Sequence, residues 1–139
     1  MKFVMAATAL LISTGAAAQN WQHVGDWEDG SSYYVDANTV SRAGDSVRFR
    51  YEERHNRSYP LSPDRSFRPD SPIYNIVAVD AMVSCSTRSG RDMQTIYKYG
   101  DRVVTTFAEP SRESGEPAPG SALAALMDFA CGRPAQAGL

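Results

Sequence analysis

Two cysteines, Cys85 and Cys131, constrain this chain more than any other feature, because each falls on the apolar side of a different periodicity. In the stretch from Ile73 to Cys85, the residues Ile73, Val77, Val79, Ala81, Val83 and Cys85 share one parity. Alternate side chains of a strand point to the same face, so Cys85 is expected to face a core. Near the C-terminus, Leu123, Leu126, Met127, Ala130 and Cys131 fall at i, i+3, i+4, i+7 and i+8, one stripe of an amphipathic helix. Ser121 stands where an N-cap belongs, and Gly132 and Pro134 stop the pattern. A bond between the two cysteines would staple a C-terminal helix across a sheet, worth roughly 4 kcal/mol in the chain-entropy model.

Whether such a bond forms depends on where the chain folds, and the N-terminus speaks to that. Lys2 gives a positive start, the stretch Phe3 to Ile12 is apolar apart from Thr8, and Ala16-Ala17-Ala18 supplies a small-x-small cleavage pattern. This is the anatomy of a secretory signal peptide, with cleavage expected after Ala18. A spanning helix needs about 20 apolar residues, and this core is too short for one; an uncleaved anchor is the alternative. No cysteine lies near the cleavage point, so lipid attachment is not expected, and the expected destination is the periplasm or the medium. An even cysteine pair in an oxidising compartment reads as a disulfide. Two free buried thiols or half of a metal site are the other readings. A metal site would want more soft ligands than His23 and His55 can supply, so no metal or cofactor is expected.

Residues 1–18 are therefore assigned to the signal peptide and 19–139 to a single domain. Without Lys2 the balance is 13 Lys+Arg against 16 Asp+Glu, a formal net charge of −3. Nucleic acid as a partner would require a strongly basic surface, so it is not expected.

The body of the chain reads as strands. Trp21 to Trp27 is the first, Asp29-Gly30 is a hairpin turn, and Ser32 to Val35 is the second, ending at a turn over Asp36 to Thr39. Ala43-Gly44-Asp45 turns into Val47 to Glu53, which alternates cleanly between apolar and charged. Pro60, Pro63, Pro69 and Pro72 then mark residues 56–72 as a long exposed loop. Ile73 to Cys85, Met93 to Tyr99 and Arg102 to Phe107 complete the set, with turns at Arg88 to Gly90 and Gly100-Asp101 and a second Pro/Gly-rich loop over 109–120. The expected class is α+β: an antiparallel sheet of about six strands with a C-terminal helix packed on one face, stapled by one disulfide.

Chemistry is sparse. The chain carries no GxSxG, HExxH, phosphate-binding glycine loop, EF-hand or CxxC pattern. Glu52-Glu53-Arg54-His55 alone gathers carboxylates, a guanidinium and an imidazole, but strand alternation divides them between two faces, so only Glu53 and His55 could converge. The aromatic residues Trp21, Trp27, Tyr33, Tyr97 and Tyr99 are expected to pack against the sheet, and Asp36 to cap a turn. No catalytic residue is assigned. Arg57, Tyr59, Arg65, Phe67 and Arg68 make the 56–72 loop the candidate partner-contact element. Exposed sheet edges would also permit a homodimer.

Several short pieces resemble one family when taken in order: Trp21 with Val24-Gly25, Tyr34-Val35-Asp36 with Thr39-Val40, Val47-Arg48-Phe49, Cys85 with Arg88, Tyr97, and Pro119-Gly120-Ser121 leading to Cys131-Gly132. The arrangement resembles the surface-adhesin protein E-like domains of Gram-negative bacteria. The resemblance implies an antiparallel sheet with a C-terminal helix. It also implies a non-enzymatic binding module with a protein partner, since the family's characterised member is an outer-membrane lipoprotein that binds host matrix and plasma proteins. This chain departs from it in lacking a lipidation cysteine, in carrying Phe49 where relatives often have Trp, and in the length of the 56–72 segment. A periplasmic inhibitor or envelope accessory protein, with that segment as the inserting element, is the alternative, and a small secreted hydrolase or nuclease a third.

Overall fold

The computed structural model describes residues 18–62 and 69–132, so the body of the expected signal peptide, residues 1–17, lies outside the described residues. Six strands and one helix follow in chain order: β1 (Trp21–Asp26), β2 (Ser31–Ala43), β3 (Ser46–Pro60), β4 (Ile73–Ser84), β5 (Ser89–Tyr99), β6 (Arg102–Phe107) and α1 (Ala122–Ala130). The strands form one sheet in the order β1-β2-β3-β4-β5-β6, each antiparallel to its neighbours. This meander with a C-terminal helix is the expected α+β class.

The parity argument holds from Val79 to Cys85, while Ile73 and Val77 of the same stretch are only half-buried. Val79, Ala81, Val83 and Cys85 are buried, as are Val35 from β2 and Val47 and Phe49 from β3. Leu126, Met127 and Ala130 of α1 close over them to complete the core. Cys85 and Cys131 are bonded, with their Cα atoms 5.8 Å apart. Gly90 has no room for a side chain: a Cβ there would lie 2.9 Å from Val83 Cγ1 on the paired strand, with Met127 Cε of α1 3.3 Å away.

Both ends of α1 follow from the sequence. The Ser121 hydroxyl accepts from the Ala124 amide at 3.2 Å, satisfying one of the orphan amides of the first turn. The Cys131 amide returns to the Met127 carbonyl, and Gly132 takes a φ of 73°, a left-handed conformation that costs glycine little. One buried residue of the helix is not apolar. Asp128 is 3% exposed, and its carboxylate accepts from Arg88 Nη1 at 2.7 Å. Removing Arg88 would strand that carboxylate, a change that typically costs about 3–5 kcal/mol.

Three boundaries differ from the sequence expectation. β2 does not end at Asp36 but runs to Ala43, with a bulge between Asp36 and Ser41. The expected turn chemistry is present within that bulge: Asp36 Oδ1 accepts from the Asn38 amide at 3.2 Å. Thr39 also donates to the Asp36 carbonyl and accepts from the Arg50 amide, so side chains replace the interrupted ladder. Likewise β3 does not stop before residue 56. After a bulge between Arg54 and Tyr59 it pairs again, Tyr59 with Tyr74 and Pro60 with Ile73, so the intervening loop is shorter than the expected 56–72. Pro60 is tolerated because it is the last residue of its strand. Finally, β5 begins at Ser89 rather than Met93, because the turn falls on residues 85–88.

The sheet face turned away from α1 is closed by charge. Arg50 grips Asp80 through two hydrogen bonds, Nε to Oδ1 at 2.8 Å and Nη2 to Oδ2 at 3.0 Å. Glu52, 4% exposed, accepts from Arg54 Nε at 2.8 Å and Lys98 Nζ at 2.7 Å. The Arg54 guanidinium also lies over the rings of Tyr34, 4.0 Å from its centroid, and Trp21, 5.3 Å away. An acid, a stacked arginine and two aromatic rings thus cover a face on which no helix among the described residues packs.

Candidate functional site

Helix α1 packs chiefly over β1, β2 and β3. Beyond it, on the same face, the far end of β3 and the adjoining parts of β4, β5 and β6 carry a group of rings and acids. Glu53 and His55 are two residues apart on β3 and therefore share this face, while Glu52 and Arg54 go to the other. Glu53 pairs across to Tyr33 on β2 and to Val77 on β4, and Val77 pairs in turn with Tyr97 on β5. The second pairing of β3 with β4 adds Tyr59 and Tyr74.

These rings form a line. His55 meets Tyr59 edge-on with centroids 4.8 Å apart, Tyr59 and Tyr74 lie 6.0 Å apart, Tyr74 meets Tyr97 at 4.8 Å, and Tyr97 meets Phe107 of β6 at 5.8 Å. Phe107, at the outer end, is 55% exposed. Between the inner rings lies a cavity of about 460 Å³, with Asp29 and Glu53 supplying its acids. A second cavity of about 390 Å³ runs beneath α1 past Tyr51 and Asp92 and meets the first at Glu53.

The acids are held differently. Asp29 accepts from the Ser31 hydroxyl and the Ser31 amide, and those bonds keep its carboxyl below the usual range. Glu53 is hydrogen-bonded to Tyr33, whose hydroxyl is pushed well above its usual range by burial and then by the Glu53 charge. In the neighbouring cavity, burial raises the Asp92 carboxyl. Arg57 stays at the rim, donating to the Tyr59 hydroxyl at 2.9 Å with its guanidinium over the same ring.

The expected convergence of Glu53 and His55 occurs, with His55 Nε2 3.5 Å from Glu53 Oε1. In an acid–base pair the carboxylate orients one imidazole nitrogen and the other works on the substrate. Here that other nitrogen, Nδ1, is buried and has no hydrogen-bond partner. The arrangement fits a packed and polarised wall better than a proton-transfer device. Among the described residues no three His, Cys, Asp or Glu side chains converge in a way that could hold a metal ion.

Of the five residues expected to make partner contacts, Arg57 and Tyr59 belong to β3 at the edge of this cavity, while Arg65, Phe67 and Arg68 lie outside the described residues. Sequence reasoning treated Tyr97 as sheet packing and Asp29 as part of a hairpin turn, and assigned no site role to Tyr74 or Phe107. Shared parity identified Glu53 with His55, but the bulge after Arg54, which brings Tyr59 alongside, left no periodic signal. No helix among the described residues is long and apolar enough to cross a membrane.

Comparison with known proteins agrees with this architecture. Protein E of Haemophilus influenzae, in its selenomethionine form, superposes with a TM-score of 0.53 at 13% identity, covering 77% of this chain and 89% of that one. A second crystal form of the same protein gives 0.53 at 13%, covering 77% and 91%. The structure from non-typeable Haemophilus influenzae gives 0.50 at 13%, covering 83% and 86%. At this identity the likeness speaks for the fold. No curated protein sequence matches the chain significantly. The model of the surface-adhesin protein E family matches residues 21–132, from the first strand to the residue after the disulfide, and the chain belongs to that family.

Proposed function

We propose that this protein is an exported, non-enzymatic binding module that contacts a protein partner through the part of the sheet face that α1 leaves open. The observation that carries this reading is the line of rings from Tyr59 through Tyr74 and Tyr97 to Phe107, which crosses four strands and ends in a largely exposed phenyl group. Aromatic side chains offer large contact area at small entropic cost and are enriched at the centres of protein interfaces. Membership of a surface-adhesin family supports the same reading. Export, with cleavage after Ala18 and release of residues 19–139 to the periplasm or medium, is supported by the N-terminal pattern and by the disulfide. Arg57 and Tyr59 add a polar rim, and the connection after Pro60 leaves the sheet at this edge and returns to it at Ile73, which pairs with Pro60.

The test is capture of purified extracellular-matrix, plasma and cell-envelope proteins by the oxidised mature domain, compared with a Tyr97→Ser/Phe107→Ser double variant. Binding should fall at least tenfold in the variant while its melting temperature stays close to that of the parent. A partner captured equally by both forms would place the contact elsewhere.

A further inference from the structure

The molecule contains one filled version of the constellation that the open cavity presents. On the far face, Glu52 and the rings of Tyr34 and Trp21 surround the guanidinium of Arg54, which donates to the acid while lying over the rings. One residue along β3, on the helix-side face, Glu53 sits beside His55 and with Asp29 among Tyr59, Tyr74 and Tyr97, and no arginine or lysine among the described residues lines the space between them. The cavity, about 460 Å³, is within the range of sites that take small groups. The bonds from Ser31 keep the Asp29 carboxyl below the usual range, and among the described residues the guanidinium at the rim, Arg57, is bonded to the Tyr59 hydroxyl. Acids beside ring faces favour a cation, and a planar guanidinium can both bridge carboxylates and stack on tyrosine.

We infer that this cavity receives an arginine side chain of the partner protein. The inference rests on the docking face proposed above and specifies what the partner inserts there. It predicts that an exposed arginine, flanked by apolar residues to meet the ring line, is the partner's anchoring residue.

The experiment is an NMR titration of the oxidised mature domain with Nα-acetyl-arginine methylamide, its citrulline counterpart and N-acetylglucosamine. Citrulline keeps the shape and loses the charge. Saturable shifts at His55, Tyr74 and Tyr97 with the arginine compound, about tenfold weaker with citrulline, are expected. Glu53→Gln should weaken the arginine response by a similar factor. Asp29→Asn, which keeps an acceptor for Ser31, should weaken it as well and covers the case in which Glu53→Gln fails to fold. Equal response to citrulline, no response to the arginine compound, or shifts with the sugar alone would overturn the proposal. If the arginine compound fails while the Tyr97→Ser/Phe107→Ser variant still loses its protein partner, the cavity assignment falls and the docking face stands. If the arginine compound saturates while that variant captures partner normally, the cavity takes a guanidinium, but the docking face falls and with it the assignment of that guanidinium to the partner.

Discussion

Replacing Cys85 and Cys131 together by alanine removes the one covalent link between α1 and the sheet. The bond spans a sequence separation of 46, for which the loss of unfolded-state entropy corresponds to about 4 kcal/mol. Whole-domain stabilities run at about 5–15 kcal/mol, so the link represents a large fraction of the total. The remaining attachment of the helix is the packing of Leu126, Met127 and Ala130 and the Arg88–Asp128 pair. In a domain of this size each kcal/mol shifts the melting temperature by about 3–6 °C, so the double variant should melt on the order of 15 °C lower. Both cysteines must be changed, because a single replacement leaves a reactive thiol. Thermal unfolding followed by circular dichroism, on the oxidised parent, the reduced parent and the double variant, supplies the comparison. Hydrogen exchange should show the largest loss of protection in α1. A reduced protein melting within about 3 °C of the oxidised form would refute the stapling argument, leaving the non-covalent packing to account for the attachment of the helix.

Two further outcomes test the energetics of the sheet. Gly90→Ala introduces a Cβ 2.9 Å from Val83 Cγ1 and 3.1 Å from the Met82 carbonyl oxygen, and should lower stability in urea by about 1–3 kcal/mol; an unchanged midpoint would mean that β4 and β5 shift apart there at no cost. Asp92→Asn should raise the melting temperature at pH 7, because burial lifts the folded carboxyl above its unfolded value and the ionised form therefore opposes folding. The gain should vanish below about pH 4, where the acid is protonated in both states; a gain that persists at low pH would have another cause.

The core was legible because its residues obey simple periods. Val79, Ala81, Val83 and Cys85 are buried at alternate positions, and Leu126, Met127 and Ala130 at helical ones with the partly buried Cys131 next in the stripe, so two short patterns located the disulfide before any coordinate did. The bulged segments were not legible. Asp and Asn turn signals ended β2 early and prolines ended β3 early, whereas Thr39 bridges one interruption with side-chain hydrogen bonds and Tyr59 resumes the second after its bulge. Asp128 was invisible for another reason: a charged residue on a buried helix face is acceptable only with a partner such as Arg88, 40 residues away in the chain. The candidate cavity combined both difficulties. Its β3 residues Glu53 and His55 follow parity, but Tyr59 arrives through a bulge, and Asp29 and Tyr97 come from opposite sides of the sheet. Opposite charges on Arg50 and Asp80, which meet across neighbouring strands, or Glu52 and Lys98, which meet over β4, likewise gave no hint that they would close the outer face.

The placement of the helix at the end of the chain has a consequence for the order of folding. Every strand pairs with the one before it, so each pairing closes a short loop and can form soon after its second strand appears. Nothing comparable is available to the apolar stripe made by Val35, Val47, Phe49, Val79 and Val83, whose cover is the last element of the described fold. A chain emerging N-terminus first therefore displays its paired strands, with the thiol of Cys85 unbonded among them, until residues 121–132 follow. The interval between the last strand and the helix is one in which the unsealed sheet is most open to assistance, to oxidation with the wrong partner and to self-association.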